Sequence, residues 1–184
     1  MDFSKFDKEV NKDQLMKDYA EAKENGGTGD YEETPAGAYV VRIEKMEIRE
    51  TKETKEPMFS CMCRIVEAIE EEEFGDGTAI KNNDKAIEFM KKFKSGKTPC
   101  LFFNRKIYGN KNSDKWNDGK AIATVTGWLD KLGTETVPVF ESYSQFNDCV
   151  LDIFEECNEF KLLLEVDYNP DAFNPISIKG VFEE

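Results

Sequence analysis

The chain has 184 residues, 39% hydrophobic and 34% charged, with a formal net charge of −13 and no histidine. That length suits one domain with a sizeable core. The lack of histidine removes Ser-His-Asp triads, Cys-His pairs and His-ligated metals. Five cysteines, an odd number with no Cys-x-x-Cys among them, read as buried reduced thiols rather than a disulfide set or a zinc site. No apolar run reaches the roughly 18 residues of a membrane helix. Met1-Asp2-Phe3-Ser4-Lys5 lacks the apolar stretch of a signal peptide. A cytoplasmic protein is expected.

Residues 2–24 predict an amphipathic helix, interrupted near Asn11, in which Phe3, Phe6, Val10, Leu15, Met16, Tyr19 and Ala20 recur at spacings of three and four. Asn25-Gly26-Gly27-Thr28-Gly29-Asp30 ends it. The predicted organisation is an N-terminal arm and Gly-rich linker over residues 1–30 and one domain over 31–184. The arm's apolar stripe would pack on the domain or join two copies as a homo-oligomer.

Pro35-Ala36-Gly37 opens a first strand, where Tyr39, Val41 and Ile43 alternate with Val40, Arg42 and Glu44 before Met46 and Ile48. A charged turn over residues 50–56 leads to a second strand from Pro57. There Phe59, Cys61, Cys63 and Ile65 oppose Met58, Ser60, Met62 and Arg64. The hairpin has one apolar face, and the other presents Arg42 and Arg64. Glu70-Glu71-Glu72-Glu73 reads as a solvated loop, and Asn83 or Asp84 can cap a short helix carrying Ala86, Ile87, Met90 and Phe93.

Residues 81–120 reverse the sign of the chain. Eleven basic residues meet four acidic ones there, a local +7, so the other 144 residues carry −20. Phe89, Phe93, Phe102, Phe103, Tyr108 and Trp116 lie among the lysines. Basic residues interleaved with aromatics meet the needs of a single-stranded nucleic acid, with cations for phosphates and flat rings for bases. The third strand lies in this window. Leu101, Phe103, Arg105 and Ile107 fall on one face, and Phe102, Asn104, Lys106 and Tyr108 on the other. That second face either packs beneath a helix or stacks bases. Lys111, Lys115 and Trp116 follow in a polar loop.

Two helices come next. One carries Ala121, Val125, Trp128 and Leu129 and stops at Gly133; the other carries Phe140, Tyr143, Phe146, Val150, Phe154 and Cys157. Phe160, Leu162, Leu164 and Val166 then alternate as a fourth strand, and Ile176, Ile178, Gly180 and Phe182 as a fifth. The expected fold is mainly β with added helices: an OB-fold-like five-stranded barrel, with helices inserted between the third and fourth strands and an N-terminal helix. OB folds bind oligonucleotides across their second and third strands.

Tyr31-Glu32-Glu33-Thr34-Pro35-Ala36-Gly37-Ala38-Tyr39, Val41-Arg42-Ile43-Glu44, Pro57-Met58-Phe59 and Phe102-Phe103-Asn104-Arg105 resemble small bacteriophage proteins encoded among replication and recombination genes. The resemblance covers Pro35 to Gly133. It implies single-stranded-DNA binding, phage or host replication and recombination proteins as partners, and the host cytoplasm as location. It supplies no catalytic residue, and neither a metal nor a cofactor is expected. Arg42, Arg64, Phe102, Lys106, Tyr108, Lys111, Lys115 and Trp116 form the expected nucleic-acid site. A second hypothesis makes the chain an acidic DNA mimic that inhibits a host nuclease or immune effector through Glu44, Glu47 and Glu70 to Glu73. A carboxylate-metal nuclease built on Asp114, Asp118 and Asp130 has no spacing in its favour.

Overall fold

The computed structural model describes residues 11–24, 32–111 and 113–182. It divides into two units, Met1–Glu33 and Thr34–Glu184. In the first, helix α1 spans Lys12–Glu24. Asn11 caps it, its Oδ1 accepting the Gln14 N–H at 3.2 Å. The expected interruption near Asn11 is thus a helix start, and residues 2–10 of the predicted helix lie outside the described residues. Leu15, Met16 and Tyr19 share one face of α1, and each is more than half exposed.

The second unit runs β1 (Gly37–Glu50), β2 (Pro57–Ala68), α2 (Asp84–Met90), β3 (Cys100–Lys106), α3 (Asp118–Asp130), α4 (Tyr143–Glu159), β4 (Leu163–Tyr168) and β5 (Ile176–Val181). The strands form one sheet in the order β3-β2-β1-β4-β5, and all four pairings are antiparallel. This is the predicted element order and an α+β architecture. No described helix is long and apolar enough to cross a membrane.

The predicted barrel does not close. β3 and β5 are the two sheet edges, and no ladder joins them. Side chains occupy the gap instead. Trp128 of α3 sets its ring 5.4 Å from that of Phe103 on β3, while its Nε1–H donates to the Ile176 carbonyl of β5 at 3.0 Å. An indole that reaches both edges holds them further apart than the roughly 4.8 Å of paired strands. Arg105 adds a second bridge. It donates to the Phe173 carbonyl and to Asn174 Oδ1 in the β4–β5 turn, and its guanidinium lies 3.9 Å from the Phe173 ring centre.

The main core fills the space between one sheet face and helices α3 and α4, with Phe59, Phe103, Trp128 and Phe146 among its larger members. Ser142 and Asn117 cap these helices through their side chains. Gly133, at φ 67°, turns the chain just beyond α3. The five thiols are free; Cys61, Cys63, Cys149 and Cys157 are buried as predicted, whereas Cys100, on the edge strand β3, is only half-buried. Burial pushes Cys61 well above the usual thiol range and Cys157 up to about 12.

Three local expectations change. Ala38 to Val41 are all buried instead of alternating, because Ile69 and Phe74 cover the opposite sheet face at that end. Asn83 occupies the N-cap position of α2 without a side-chain cap bond. Its amide instead accepts from Ala38 N–H (2.8 Å) and donates to the carbonyls of Ala38 (2.9 Å) and Ile69 (2.8 Å). Phe160, expected to begin the fourth strand, is the C-cap of α4 and is exposed.

Candidate nucleic-acid interface

The register of β1, β2 and β3 builds a solvent-facing surface row by row. Arg42 pairs with Arg64 and Arg64 with Cys100; Lys45 with Met62 and Met62 with Phe102; Glu47 with Ser60 and Ser60 with Asn104; Arg49 with Met58 and Met58 with Lys106. Successive strand residues face opposite sides, so these rows lie opposite the buried Ile43, Met46, Phe59, Cys61, Cys63, Leu101 and Phe103. A β-bulge between Ile43 and Lys45 makes this possible on β1. It absorbs Glu44 as an extra residue and flips the parity of everything after it.

Phe102 stands on β3, the edge strand of this surface, and is 54% exposed. Among the described residues no helix covers it, which is against the packed alternative for this side chain. Beside it, Ser60 donates to Asn104 at 2.7 Å. Charges line the rest of the face. Arg64 donates Nε and Nη2 to the two oxygens of Glu44, at 2.6 and 2.9 Å, and Nη1 to the Thr98 carbonyl. Arg42 reaches the same carboxylate at 3.0 Å. Lys45 pairs with Glu47 at 2.8 Å, and Lys106 pairs with Glu56. Five cations therefore meet three carboxylates on the surface of a chain whose net charge is −13.

The predicted site separates into parts. Arg42, Arg64, Phe102 and Lys106 share the sheet surface. Arg64 is committed to Glu44 and Thr98 and acts as a structural pin rather than a free phosphate ligand. Tyr108 lies past the end of β3, where Gly109 at φ 70° turns the chain. It is 47% exposed and rests edge-on against Tyr143, 5.7 Å away. Lys111 and Lys115 are exposed on the following loop.

Trp116 does not join them. It packs edge-on against Phe173 at 4.9 Å, its Nε1–H donates to Asn110 Oδ1, and Arg105 lies 5.5 Å from its ring. Arg105 alternates with Phe102 and Lys106 along β3 and belongs to the other side of the sheet. Trp116 is therefore a packing residue of the β4–β5 turn. Of the other aromatics in the basic window, Phe89 and Phe103 are buried, and Phe93 packs edge-on against Phe89. Lys45, Arg49, Met58, Ser60, Met62 and Asn104 complete the surface; the two β1 cations were hidden in the sequence by the bulge.

Asp118 holds the loop after β3. It accepts from the backbone N–H of Gly109 and Asn110 and from the Asn110 amide. Burial pushes its pKa up, but these donors outweigh it and leave the group below its usual value. Asp118 and Asp130 sit at opposite ends of α3, about 18 Å apart at 1.5 Å per residue. No group of three metal-ligating side chains forms among the described residues. Glu44 and Glu47, assigned to an acidic surface in the mimic hypothesis, are both neutralised by cations.

The hydrogen bonds from Arg64 hold Glu44 below the usual carboxylate range, and those from Lys106 and Thr54 do the same for Glu56. Their contribution to stability is therefore complete above the unfolded value of about 4.3 and is lost as pH falls through the lower folded pKa. Urea midpoints will hold steady from pH 7 to about 5 and fall below about 4. Glu44→Gln will flatten that acid limb; an unchanged limb would show that the pair does not persist in solution.

No family model, characterised protein or solved structure matches this chain.

Proposed function

We propose that the outer surface of β1, β2 and β3 binds single-stranded DNA with little sequence preference, as a component of phage replication or recombination. The observation that carries this reading is Phe102, a large ring left exposed on the edge strand of a cation-lined sheet face. Base stacking on such a ring contributes about 1–3 kcal/mol and tolerates any base. In this reading the sheet is an OB-type barrel opened between its third and fifth strands, and the face is the one such folds present to oligonucleotides. Tyr108 extends the platform, with Lys106, Arg42, Lys111 and Lys115 beside it. Self-association through α1 belongs to the same reading, since Leu15, Met16 and Tyr19 are exposed together.

The net charge of −13 does not oppose this. At physiological salt the screening length is about 8 Å, so acidic residues on the far side of the unit contribute little at this face. The local carboxylates do matter, because phosphates must compete with Glu44, Glu47 and Glu56 for their cations. About two or three phosphate contacts then remain, a salt slope near −2 at about −0.7 per phosphate. Fluorescence anisotropy of a labelled single strand will show binding at low salt with that shallow slope, and duplex will compete poorly. Absence of binding at low salt, or equal affinity for duplex, would refute the reading.

A further inference from the structure

A groove of about 890 Å³ opens beside the proposed interface, where the end of α4 meets β1 and the end of β5. Three residues of the sheet face, Arg42, Lys45 and Met62, also line it, so surface and groove are continuous. Its other wall carries Phe160, Lys161 and Val181. Phe160 is 67% exposed, more than any other aromatic side chain among the described residues. Among the described residues it makes no ring contact with another aromatic. Among the described residues of the lining, Arg42, Lys45 and Lys161 meet one carboxylate, that of Glu44.

The backbone beside Phe160 is unusual too. Lys161 adopts φ 50°, a left-handed conformation that glycine ordinarily supplies just past a helix end. The turn is closed by bonds from Lys161 N–H to the Asn158 carbonyl and from Leu162 N–H to the Cys157 carbonyl. A lysine at this strained position places a cation directly after the uncovered ring.

We propose that this groove is a second nucleobase subsite, in which Phe160 stacks a base and Lys161 meets a neighbouring phosphate of the strand already held at Phe102. The inference rests on the single-strand reading above. Phe102, Met62 and Lys45 occupy three adjacent strands spaced about 4.8 Å apart. The bound strand therefore runs across the sheet from β3 to β1 and on to the end of α4. Only an oligonucleotide long enough to cross all three strands reaches Phe160.

The test compares oligothymidylates of about 2 nucleotides, too short to cross the roughly 10 Å from β3 to β1, and about 15 nucleotides, within typical single-strand site sizes, on wild type, Phe102→Ala, Phe160→Ala and Lys161→Gly. Phe160→Ala will weaken the long oligonucleotide by about 5- to 100-fold and leave the short one unchanged. Phe102→Ala will weaken both. Lys161→Gly relieves the left-handed strain, so it will unfold at no lower urea concentration than wild type while losing affinity for the long strand. Wild-type binding with both lengths indifferent to Phe160→Ala would overturn the second subsite and leave the face at Phe102 standing. No wild-type binding at either length would overturn both.

Discussion

Replacing Asn83 with alanine will lower the unfolding free energy of the second unit by about 2–5 kcal/mol. The side chain is only 8% exposed, and it closes a clasp between β1 and the segment that covers it. Its removal leaves two buried backbone groups without their partner, Ala38 N–H and the Ile69 carbonyl. The Ala38 carbonyl is spared, since it also accepts from Ile69 N–H at 3.0 Å. Each orphaned group costs about 1–3 kcal/mol, a large share of a typical total of about 5–15. Asn83→Asp will not rescue the loss, because a carboxylate cannot donate to the two carbonyls. Gly37 belongs to the same clasp, and a Cβ there would collide with Asn83 Oδ1. Urea unfolding followed by tryptophan fluorescence checks this. A change below about 0.5 kcal/mol, the scale of an ordinary surface substitution, would show that the clasp does not form.

Phe102→Ala will weaken single-strand binding by about 5- to 150-fold, the equivalent of about 1–3 kcal/mol for one stacked base. Its effect on stability will be small, because the ring is more than half exposed and, among the described residues, no other ring packs on it. The adjacent Phe103 gives the contrast. It is fully buried against Phe59 and Trp128, so Phe103→Ala removes about 3–5 kcal/mol of stability and lowers affinity only by unfolding the protein. Separating the two losses by parallel anisotropy and urea titration assigns each ring its role. A Phe102→Ala protein that is destabilised yet binds normally would reverse the assignment.

The alternation of residues in β2 and β3 was legible in the sequence because both strands keep a strict period of two. That is why Phe102, Asn104 and Lys106 were placed together. β1 was legible only as far as Ile43. The apolar positions then move from 43 to 46 and 48, a switch of parity that marks a bulge, and it carries Lys45 and Arg49 to the outer face while aligning Glu44 with Arg64. Barrel closure was not legible, since it depends on how far Trp128 separates two strands distant in sequence. Trp116 was misplaced for a similar reason. Its partners, Phe173 and Arg105, lie in a remote turn and on the opposite side of β3, and no local pattern in the loop announces them. Phe160 was absorbed into a strand because Phe160, Leu162 and Leu164 alternate, although α4 continues to Glu159.

Ultraviolet crosslinking of a bound oligothymidylate of about 15 nucleotides, followed by proteolysis and mass spectrometry, locates the nucleic-acid contact on the protein. Crosslinked peptides will contain Met58 to Arg64 and Cys100 to Tyr108, with Phe102 the principal adduct and its signal lost in Phe102→Ala. Adducts confined to α3, α4 or the acidic run Glu70 to Glu73, with the three-stranded face unmodified, would contradict single-strand binding at that face.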